Sequence, residues 1–405
     1  MSVSPMIDNI LNRMKHSVLD TKHARTMPSE AYTSAEFFEF EKDTIFYKEW
    51  LYVGHQNQIE APGSAFTMTI VDEPLIVLRD EDGTIRAFSA ICPHRGFPVL
   101  RGGLHEKSQC DKLVCPYHRW TFDLKGDLVG APYMHRTVDK EVLRAETRLR
   151  EFKVEVIQGF IFINFDADAA PLKPALAKFE AECENYDIPN MVPMPSFIRE
   201  DLPFNWKIMH ENALEPYHTM FVHDGYHDMA PAKLAGFIPF DEGDGQIMHP
   251  TGFADGANGM NPFQRAFFPV IPTLSEEQKG RSMYGSVPPT MFFSLKPDQV
   301  FTFLILPTAH DRMTLVTTIF MPRETLRLKH FDWAYQLQQA AGAIFGQQDI
   351  EANLVMQQGY KSRFVKQGRY SYLEETLPQF NSWLLPRYHR MDGPAPRTTL
   401  NSEVA

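Results

Sequence analysis

The stretches "CPHRGFPVL" (residues 92–100) and "CPYHRW" (residues 115–120) each pair one cysteine with one histidine a few positions away. Four such ligands in two short loops suit either a structural zinc ion or an iron–sulfur cluster, because both accept thiolates and imidazoles. Zinc motifs usually keep like ligands together, as C-x₂-C followed by H-x₃₋₅-H. Here each loop supplies one ligand of each kind, as in a two-iron cluster whose one iron takes both cysteines and whose other iron takes both histidines. The pattern therefore favours an iron–sulfur cluster over zinc.

Composition limits the classes of protein that this chain can belong to. Its 405 residues, 43% of them hydrophobic, can fill the cores of two or three domains. A formal net charge of −11 without a basic cluster argues against nucleic acid as a partner. The first twenty residues lack the apolar stretch of a secretion signal, and the longest apolar run, "FTFLILP", is too short to span a membrane. We therefore expect a cytoplasmic protein without membrane segments.

Only four cysteines occur, at positions 92, 110, 115 and 183, which is too few and too uneven for a disulfide scaffold. Cys110 and Cys183 lie outside the two Cys/His stretches, and we expect them to be buried structural thiols. The other two remain free to act as ligands in a reducing compartment.

The texture of the sequence changes near residue 166, from short strand-like runs to a mixture of helices, loops and strands. This order predicts an α+β protein. Residues 224–289 are rich in Gly, Pro and Asp and are expected to form loops that shape a pocket, whereas residues 325–362 are expected to form one long helix. The expected segments are a helical stretch at 1–47 that belongs to the second domain, an all-β domain at 48–165, the second domain at 166–385, and a tail at 386–405.

A second group of potential metal ligands lies in "ENALEPYHTMFVH" (residues 211–223). His218 and His223 are five residues apart, about 140° around a regular helix, so both can reach one metal only if the helix ends, bends or bulges. Taken alone, such a pair is often an unremarkable surface feature. Two histidines and one carboxylate, however, form the ligand set of non-haem Fe(II) oxygenases, because that set leaves positions open for O₂ and substrate.

The two Cys/His stretches resemble the cluster loops of a Rieske domain, with C-x-H-R-G at 92–96 and C-P-Y-H-x-W at 115–120. This resemblance implies that Cys92, His94, Cys115 and His118 bind a [2Fe–2S] cluster. The residue after the second histidine is commonly glycine in the family, and here it is Arg119. Since that residue is not a ligand, the departure leaves the predicted ligand set unchanged.

The spacing D-x₇-Q-x-G that begins at Asp349 resembles the C-terminal signature of Rieske oxygenase large subunits. It implies that Asp349 is the carboxylate that completes a mononuclear iron site with His218 and His223, and Glu351 is the local competitor for that role. Both signatures occur in the family's order, between about residues 45 and 365. The chain thus resembles the α subunit of a Rieske non-haem iron oxygenase, which implies a catalytic domain of helix-grip type with an antiparallel sheet and a long C-terminal helix.

The same resemblance suggests a role for Glu215. A carboxylate at this position, usually Asp, bridges a Rieske histidine of one subunit to an iron-binding histidine of the next, which implies a head-to-tail homotrimer and a path from His118 through Glu215 to His218. Asn212 and Tyr217 are candidates for orienting the ligands, with packing an equal interpretation. For three neighbouring polar residues we expect only surface or structural roles: His210, Asp224 and His227.

The resemblance implies a terminal oxygenase that uses O₂ to hydroxylate a small organic substrate. No G-x-G-x-x-G follows a strand, so electrons are expected from a separate NAD(P)H-dependent reductase, with or without a ferredoxin. An aromatic substrate is the leading expectation. The alternatives are a monooxygenase acting on a quaternary ammonium compound and, from a different class, a Rieske electron carrier without oxygenase activity.

Overall fold

The computed structural model describes residues 4–223, 226–257 and 265–390, apart from the side chains of residues 226 and 227. The predicted α+β class is confirmed in this part of the chain. Its α-helices are α1 (Pro5–Met14), α2 (Glu30–Thr33), α3 (Ala35–Glu41), α4 (Lys140–Glu146), α5 (Ala177–Cys183), α6 (Trp206–Leu214), α7 (Thr219–Val222), α8 (Tyr226–Met229), α9 (Glu276–Lys279), α10 (Phe331–Tyr360) and α11 (Thr376–Tyr388). None of them is long and apolar enough to cross a membrane.

The first half of the chain is dominated by β-strands, as the sequence predicts. Seven strands form one antiparallel sheet in the order β1-β10-β9-β4-β3-β2-β5, and a separate three-stranded sheet, β6-β7-β8, lies between β5 and β9 in the sequence. The ranges of these strands are β1 (Leu51–His55), β2 (Ser64–Ile70), β3 (Glu73–Arg79), β4 (Ile85–Ser89), β5 (Glu106–Gln109), β6 (Leu113–Val114), β7 (Thr121–Phe122), β8 (Leu128–Gly130), β9 (Glu151–Ile157) and β10 (Phe160–Asn164).

The second half is built on another seven-stranded antiparallel sheet, in the order β11-β17-β16-β15-β14-β13, with β12 also paired to β17. Helix α10 lies across one face of this sheet, and a cavity separates its inner side from the strands. The strand ranges are β11 (Val192–Pro193), β12 (Phe197–Leu202), β13 (Ile247–Gly252), β14 (Arg281–Val287), β15 (Met291–Lys296), β16 (Gln299–Ala309) and β17 (Arg312–Met321).

The N-terminal helices pack on the second domain through a buried ion pair. Lys207 of α6 lies 2.7 Å from Glu41 at the end of α3, and both side chains are fully buried. The same carboxylate accepts hydrogen bonds from the Tyr388 hydroxyl at 2.6 Å and from the Trp206 indole at 3.3 Å. Because a buried charge needs partners of this kind, these contacts fix α3 and α11 against the helix that precedes His218.

The prediction that residues 224–289 are loops is wrong in part, because the segment contains β13 and β14. Two features hid these strands. Pro250 lies in β13, an edge strand, where a missing N–H costs little. Gly285 lies inside β14, where an added Cβ would come within 2.4 Å of the Phe293 ring, so glycine is required by close packing and does not mark a turn.

The ends of the C-terminal helices also differ from the predicted bounds. The long helix begins at Phe331, six residues later than expected, since residues 325–327 form only a separate short turn. Helix α11 continues to Tyr388, beyond the expected start of the tail at residue 386, because the Tyr388 ring is buried in the core. Residues 391–405 of the predicted tail lie outside the described residues. The domain boundaries themselves stay a prediction.

Candidate active site

The two Cys/His loops each contain the same kind of backbone turn. In each loop, the residue four positions after the cysteine donates its N–H to the cysteine carbonyl, Gly96 to Cys92 at 3.0 Å and Arg119 to Cys115 at 2.9 Å. Both donors have left-handed backbone, with φ of 71° for Gly96 and 61° for Arg119. Glycine adopts this conformation without steric cost and arginine does not, which explains why glycine is common at the position of Arg119.

The side chains of these loops converge as a cluster requires. Cys92 and Cys115 are 1% and 2% exposed, and the rings of His94 and His118 lie 4.7 Å apart between centroids. Burial raises the pKa of the Cys92 thiol to about 11, against the effect of the His94 N–H. The Nδ1 atom of His118 is buried and has no hydrogen-bond partner among the described residues. A buried nitrogen without a partner is costly unless it binds a metal, so these four residues fit the cluster.

The local sequence explains how His218 and His223 come together. Asn205 caps the start of α6, and the helix ends at Leu214 because Pro216 cannot continue it. A single helical turn, α7, then separates the two histidines. It ends at His223, whose backbone is extended. This helix end lets the two rings approach to 5.1 Å between centroids, although a continuous helix would direct them about 140° apart.

Asp349 of α10 faces both histidines. Its Oδ1 atom lies 3.1 Å from the Nε2 atom of His223 and 3.5 Å from the Nε2 atom of His218. One ligand atom from each of these three residues lies within 4.8 Å of the others. Asn212 of α6 donates its side-chain N–H to the same Asp349 oxygen at 3.3 Å. Two imidazoles and one carboxylate in this arrangement fit a mononuclear iron.

The Nδ1 atom of each histidine contacts a second side chain. Glu215 contacts the Nδ1 atom of His218 at 2.6 Å and accepts the His218 backbone N–H at 3.0 Å. The side-chain oxygen of Gln348 lies 2.9 Å from the Nδ1 atom of His223. Partners on Nδ1 hold the proton there, so that Nε2 is the ring atom suited to bind a metal.

The charges around this site govern its protonation when no metal is bound. Burial acts to lower the pKa of His218, but the carboxylates of Glu215 and Asp349 outweigh it and raise that pKa to about 10. Burial acts to raise the pKa of Asp349, but hydrogen bonds from His218 and His223 hold it well below its usual range. A metal ion would replace this shared proton, since ligands bind in their deprotonated form.

The other predicted residues divide between the site and its surroundings. Glu351, the competitor of Asp349, is exposed and accepts a hydrogen bond from Gln347 at 3.0 Å, away from the histidines. Tyr217 is 40% exposed and packs on Phe221. His210 is buried, as expected for a structural residue, and burial lowers its pKa to about 4. Asp224 and the side chain of His227 lie outside the described residues.

The three candidate ligands line a cavity of about 670 Å³ between α10 and the sheet. An aromatic wall, formed by Tyr284, Phe292, Phe301 and Phe303, covers its sheet side. Neighbouring rings in this wall lie 5.2–6.5 Å apart between centroids. The cavity has the size and the mainly apolar lining of a small-molecule site.

Sequence reasoning missed several residues that the structure places here. Gln348 precedes Asp349 directly but carries no motif of its own, and Glu374 comes from a distant part of the chain. Burial, with the charge of Glu215, raises the pKa of Glu374 to about 7. Lys296 lines the cavity from β15. For Lys296, the one available signal was the alternation of β15, which places Phe292 and Lys296 on one face, and sequence analysis did not use it.

Comparison with known proteins agrees with both centres. Residues 49–153 match the Rieske [2Fe–2S] domain, and residues 182–390 match the ring hydroxylating alpha subunit (catalytic domain). The chain is 36% identical over 210 residues to the carnitine monooxygenase oxygenase subunit of Acinetobacter pittii, which covers 51% of this chain and 54% of the relative. It is 30% identical over 211 residues to the large oxygenase component of salicylate 5-hydroxylase from Ralstonia sp., which covers 49% and 48%. The chain thus spans about half the length of the curated relatives it matches.

The fold has relatives among solved structures. A quaternary ammonium Rieske monooxygenase, CntA, solved in complex with an inhibitor, superposes with a TM-score of 0.77 at 22% sequence identity, over 96% of this chain and 100% of that chain. This likeness shows a shared fold. The matched families, the cluster loops and the three residues facing the cavity all lead to one assignment: the chain belongs to the family of ring-hydroxylating oxygenase alpha subunits and carries a Rieske [2Fe–2S] domain before its catalytic domain.

Proposed function

We propose that the chain is the terminal component of a Rieske oxygenase, and that it uses O₂ to hydroxylate or demethylate a quaternary ammonium compound. The observation that carries the oxygenase assignment is the convergence of His218, His223 and Asp349 on the wall of the cavity. The higher identity to the carnitine monooxygenase subunit supports the quaternary ammonium alternative over the aromatic substrate that sequence analysis placed first.

The aromatic wall suits a quaternary ammonium group. Such a cation has no N–H to donate, so it is bound mainly through the faces of aromatic rings. The rings of Phe292 and Phe303 lie 5.2 Å apart, and Tyr284 stacks on His249 at 5.3 Å, which leaves a broad aromatic surface towards the cavity. The same surface also suits an aromatic ring, and the identity to a salicylate hydroxylase component makes an aromatic compound the second candidate.

The residues of the site would hold and orient the reacting groups. A bound iron would supply O₂ activation with electrons from the cluster. Glu215 and Gln348 fix the rings of His218 and His223 so that both Nε2 atoms face Asp349. Substrate in the apolar cavity would exclude water and lie against these three ligands.

Electrons would arrive in two stages. We propose that an NAD(P)H-dependent reductase, with or without a ferredoxin, reduces the cluster held by Cys92, His94, Cys115 and His118. In a head-to-tail homotrimer, His118 of one subunit would face Glu215 of the next. Two features support this path: the His118 ring contacts Tyr117, which is 50% exposed at the surface, and Glu215 already contacts His218.

Metal analysis and turnover test the proposal together. Wild type and His218→Ala are reconstituted under argon, and acid-labile sulfide, iron and the electron paramagnetic resonance spectrum after reduction are measured. O₂ uptake and product mass are then followed with a surrogate reductase and panels of quaternary ammonium and aromatic compounds. We expect His218→Ala to keep the cluster spectrum and to lose the additional iron and all turnover.

Three outcomes would contradict parts of this proposal. Zinc without acid-labile sulfide would return the loops to a structural zinc site. Turnover that survives in His218→Ala would support the electron carrier instead. Turnover of aromatic compounds alone would favour the second substrate class.

A further inference from the structure

We infer that the end of the cavity remote from His218, His223 and Asp349 is a carboxylate subsite, in which Lys296 anchors an acidic group of the substrate. The substrate is then an organic acid or a zwitterion, and its acidic group lies away from the carbon that is oxidised. This inference rests on the proposed function in one respect, that the ligand of the cavity is the substrate.

The strand pattern directs Lys296 into the cavity. In β15, Met291, Phe293 and Leu295 are completely buried in the core, whereas Phe292 and Lys296 line the cavity. Successive side chains of a strand point to opposite faces, so the cationic residue occupies the face on which the aromatic wall is built. Among the described residues, Lys296 is one of two Lys or Arg side chains in the mostly apolar lining, and the other, Arg199, lies on the Phe197 ring and beside Gly346, within one turn of Asp349 on α10.

Among the described residues, Lys296 has no counterion within ion-pair distance. No carboxylate of these residues lies within 4 Å of its ammonium group, and none of these residues forms a hydrogen bond with it. The Nζ atom of Lys296 lies over the face of the Phe301 ring, 5.1 Å from its centroid. Burial lowers the pKa of Lys296, and the charge of Asp298 acts in the opposite direction. That carboxylate is already occupied by backbone groups, including the Phe268 N–H at 3.3 Å.

Polar side chains beside Lys296 are also unsatisfied. Gln299, its partner across the β15–β16 hairpin, is 5% exposed and lines the cavity, and neither the NH₂ group nor the Oε1 atom of its side chain has a hydrogen-bond partner in the described part of the chain. Gln338 of α10 lines the same cavity and is 9% exposed, and its side-chain NH₂ and Oε1 likewise have no hydrogen-bond partner among the described residues. Buried amides are normally satisfied, so two amides and a half-buried cation that have no partners among the described residues indicate a missing polar ligand.

This polar group is far from the candidate iron ligands. Gln338 precedes Asp349 by eleven residues on α10, which is about 16 Å along the helix axis. The Asp298 carboxylate accepts a hydrogen bond from the Phe268 N–H. The centroid of the Phe268 ring lies 5.4 Å from that of Phe331, at the first turn of the same helix. Lys296 therefore lies beside the N-terminal part of α10, whereas the metal ligands lie beside a turn much closer to its C-terminal end.

The chemistry of the missing ligand follows from the donors present. An ammonium group and amide N–H groups bind a carboxylate, whereas a neutral hydrocarbon would leave the half-buried charge without a partner. A quaternary ammonium group would be repelled at this end and bound by the aromatic wall. The cavity as a whole therefore suits a molecule with an acidic end at Lys296 and a cationic or apolar end near the metal.

Binding measured without turnover tests the subsite. The probes are straight-chain ω-trimethylammonio carboxylates and ω-phenyl carboxylates of increasing length, each paired with its methyl ester. Dissociation constants are measured by calorimetry on iron-loaded, unreduced enzyme under argon. The variants are Lys296→Met, which removes the charge, Lys296→Arg, which keeps it, and Lys279→Met as a matched control, since Lys279 pairs with Glu276 on the surface at 2.8 Å.

We expect wild type to bind the best acid about 10- to 100-fold more tightly than its ester, as a charged hydrogen bond provides. Lys296→Met should lose that preference, whereas Lys296→Arg and Lys279→Met should retain it. Equal binding of acids and esters by wild type across both series, or an unchanged preference in Lys296→Met, would overturn the inference.

The two proposals fail separately. O₂ uptake that is equally fast with acids and esters would leave the oxygenase function standing and remove the subsite. A preference for acids that depends on Lys296, without O₂ uptake in the reduced enzyme, would keep the subsite and refute the oxygenase.

Discussion

Replacing Glu215 with glutamine tests whether this carboxylate holds His218 in its metal-binding form. The two oxygens of Glu215 meet two N–H groups of one residue, the ring Nδ1–H at 2.6 Å and the backbone N–H at 3.0 Å. Glutamine offers only one oxygen. Its NH₂ group must then face either the backbone N–H, which repels it, or the ring Nδ1, which forces the proton onto Nε2 and blocks the atom that binds metal.

The expected cost follows from these contacts. Losing one charged hydrogen bond at a side chain that is only 11% exposed corresponds to about 1.5–3 kcal/mol, or about 10- to 100-fold in affinity for Fe(II). We expect iron to bind still, since Glu215 is not a ligand in this proposal. Electron transfer from the cluster should also slow, because the proposed path between subunits passes through this side chain.

The measurement is a competition between the protein and a chromophoric chelator for Fe(II) under argon, followed by rapid mixing of reduced enzyme with substrate and O₂. Glu351→Gln is the matched control, because it makes the same change on an exposed carboxylate two residues after Asp349. An Fe(II) affinity for Glu215→Gln within twofold of wild type, with normal cluster oxidation, would refute the reasoning.

Three further predictions concern stability and pH. Lys207→Met should lower the free energy of unfolding in urea by about 3–5 kcal/mol, because it leaves Glu41 buried without its counterion. The double variant with Glu41→Gln should recover most of this loss. A loss below about 1 kcal/mol in Lys207→Met would show that the pair is not buried in solution. Arg119→Gly should raise the free energy of unfolding in urea by about 0.5–1 kcal/mol, because relief of left-handed backbone exceeds the added freedom of the unfolded chain, and a lower free energy of unfolding would contradict this. In the metal-free protein the pKa of His218 is raised from 6.5 to about 10, so its contribution to stability is complete below about pH 6.5 and is lost as the pH rises towards 10. The apparent Fe(II) affinity should increase over the same interval, by up to about tenfold per pH unit, and an affinity independent of pH would exclude this competition.

Strands β13 and β14 and the surroundings of Lys296 could not be predicted from the sequence, for physical reasons. Pro250 and Gly285 look like turn residues, and only the pairing of β13 and β14 shows that one lies on a sheet edge and the other under an aromatic ring. The lack of a counterion for Lys296 among the residues that the structure describes is equally invisible in sequence. It depends on the orientation of the Asp298 carboxylate, which is set by the fold of the loop.

The sequence by itself indicated the family and the two groups of candidate metal ligands, because most of these residues lie in short motifs whose spacing is fixed by local backbone geometry. It favoured Asp349 over Glu351 only through the resemblance of the D-x₇-Q-x-G spacing. Two residues on a helix differ by about 200°, so one of them must face away from the histidines, and only the packing of α10 on the sheet selects Asp349. Tertiary structure alone brought Gln348 to His223 and placed Lys296 beside Gln299 at the far end of the cavity, since contacts between distant segments depend on how helices and sheet pack together.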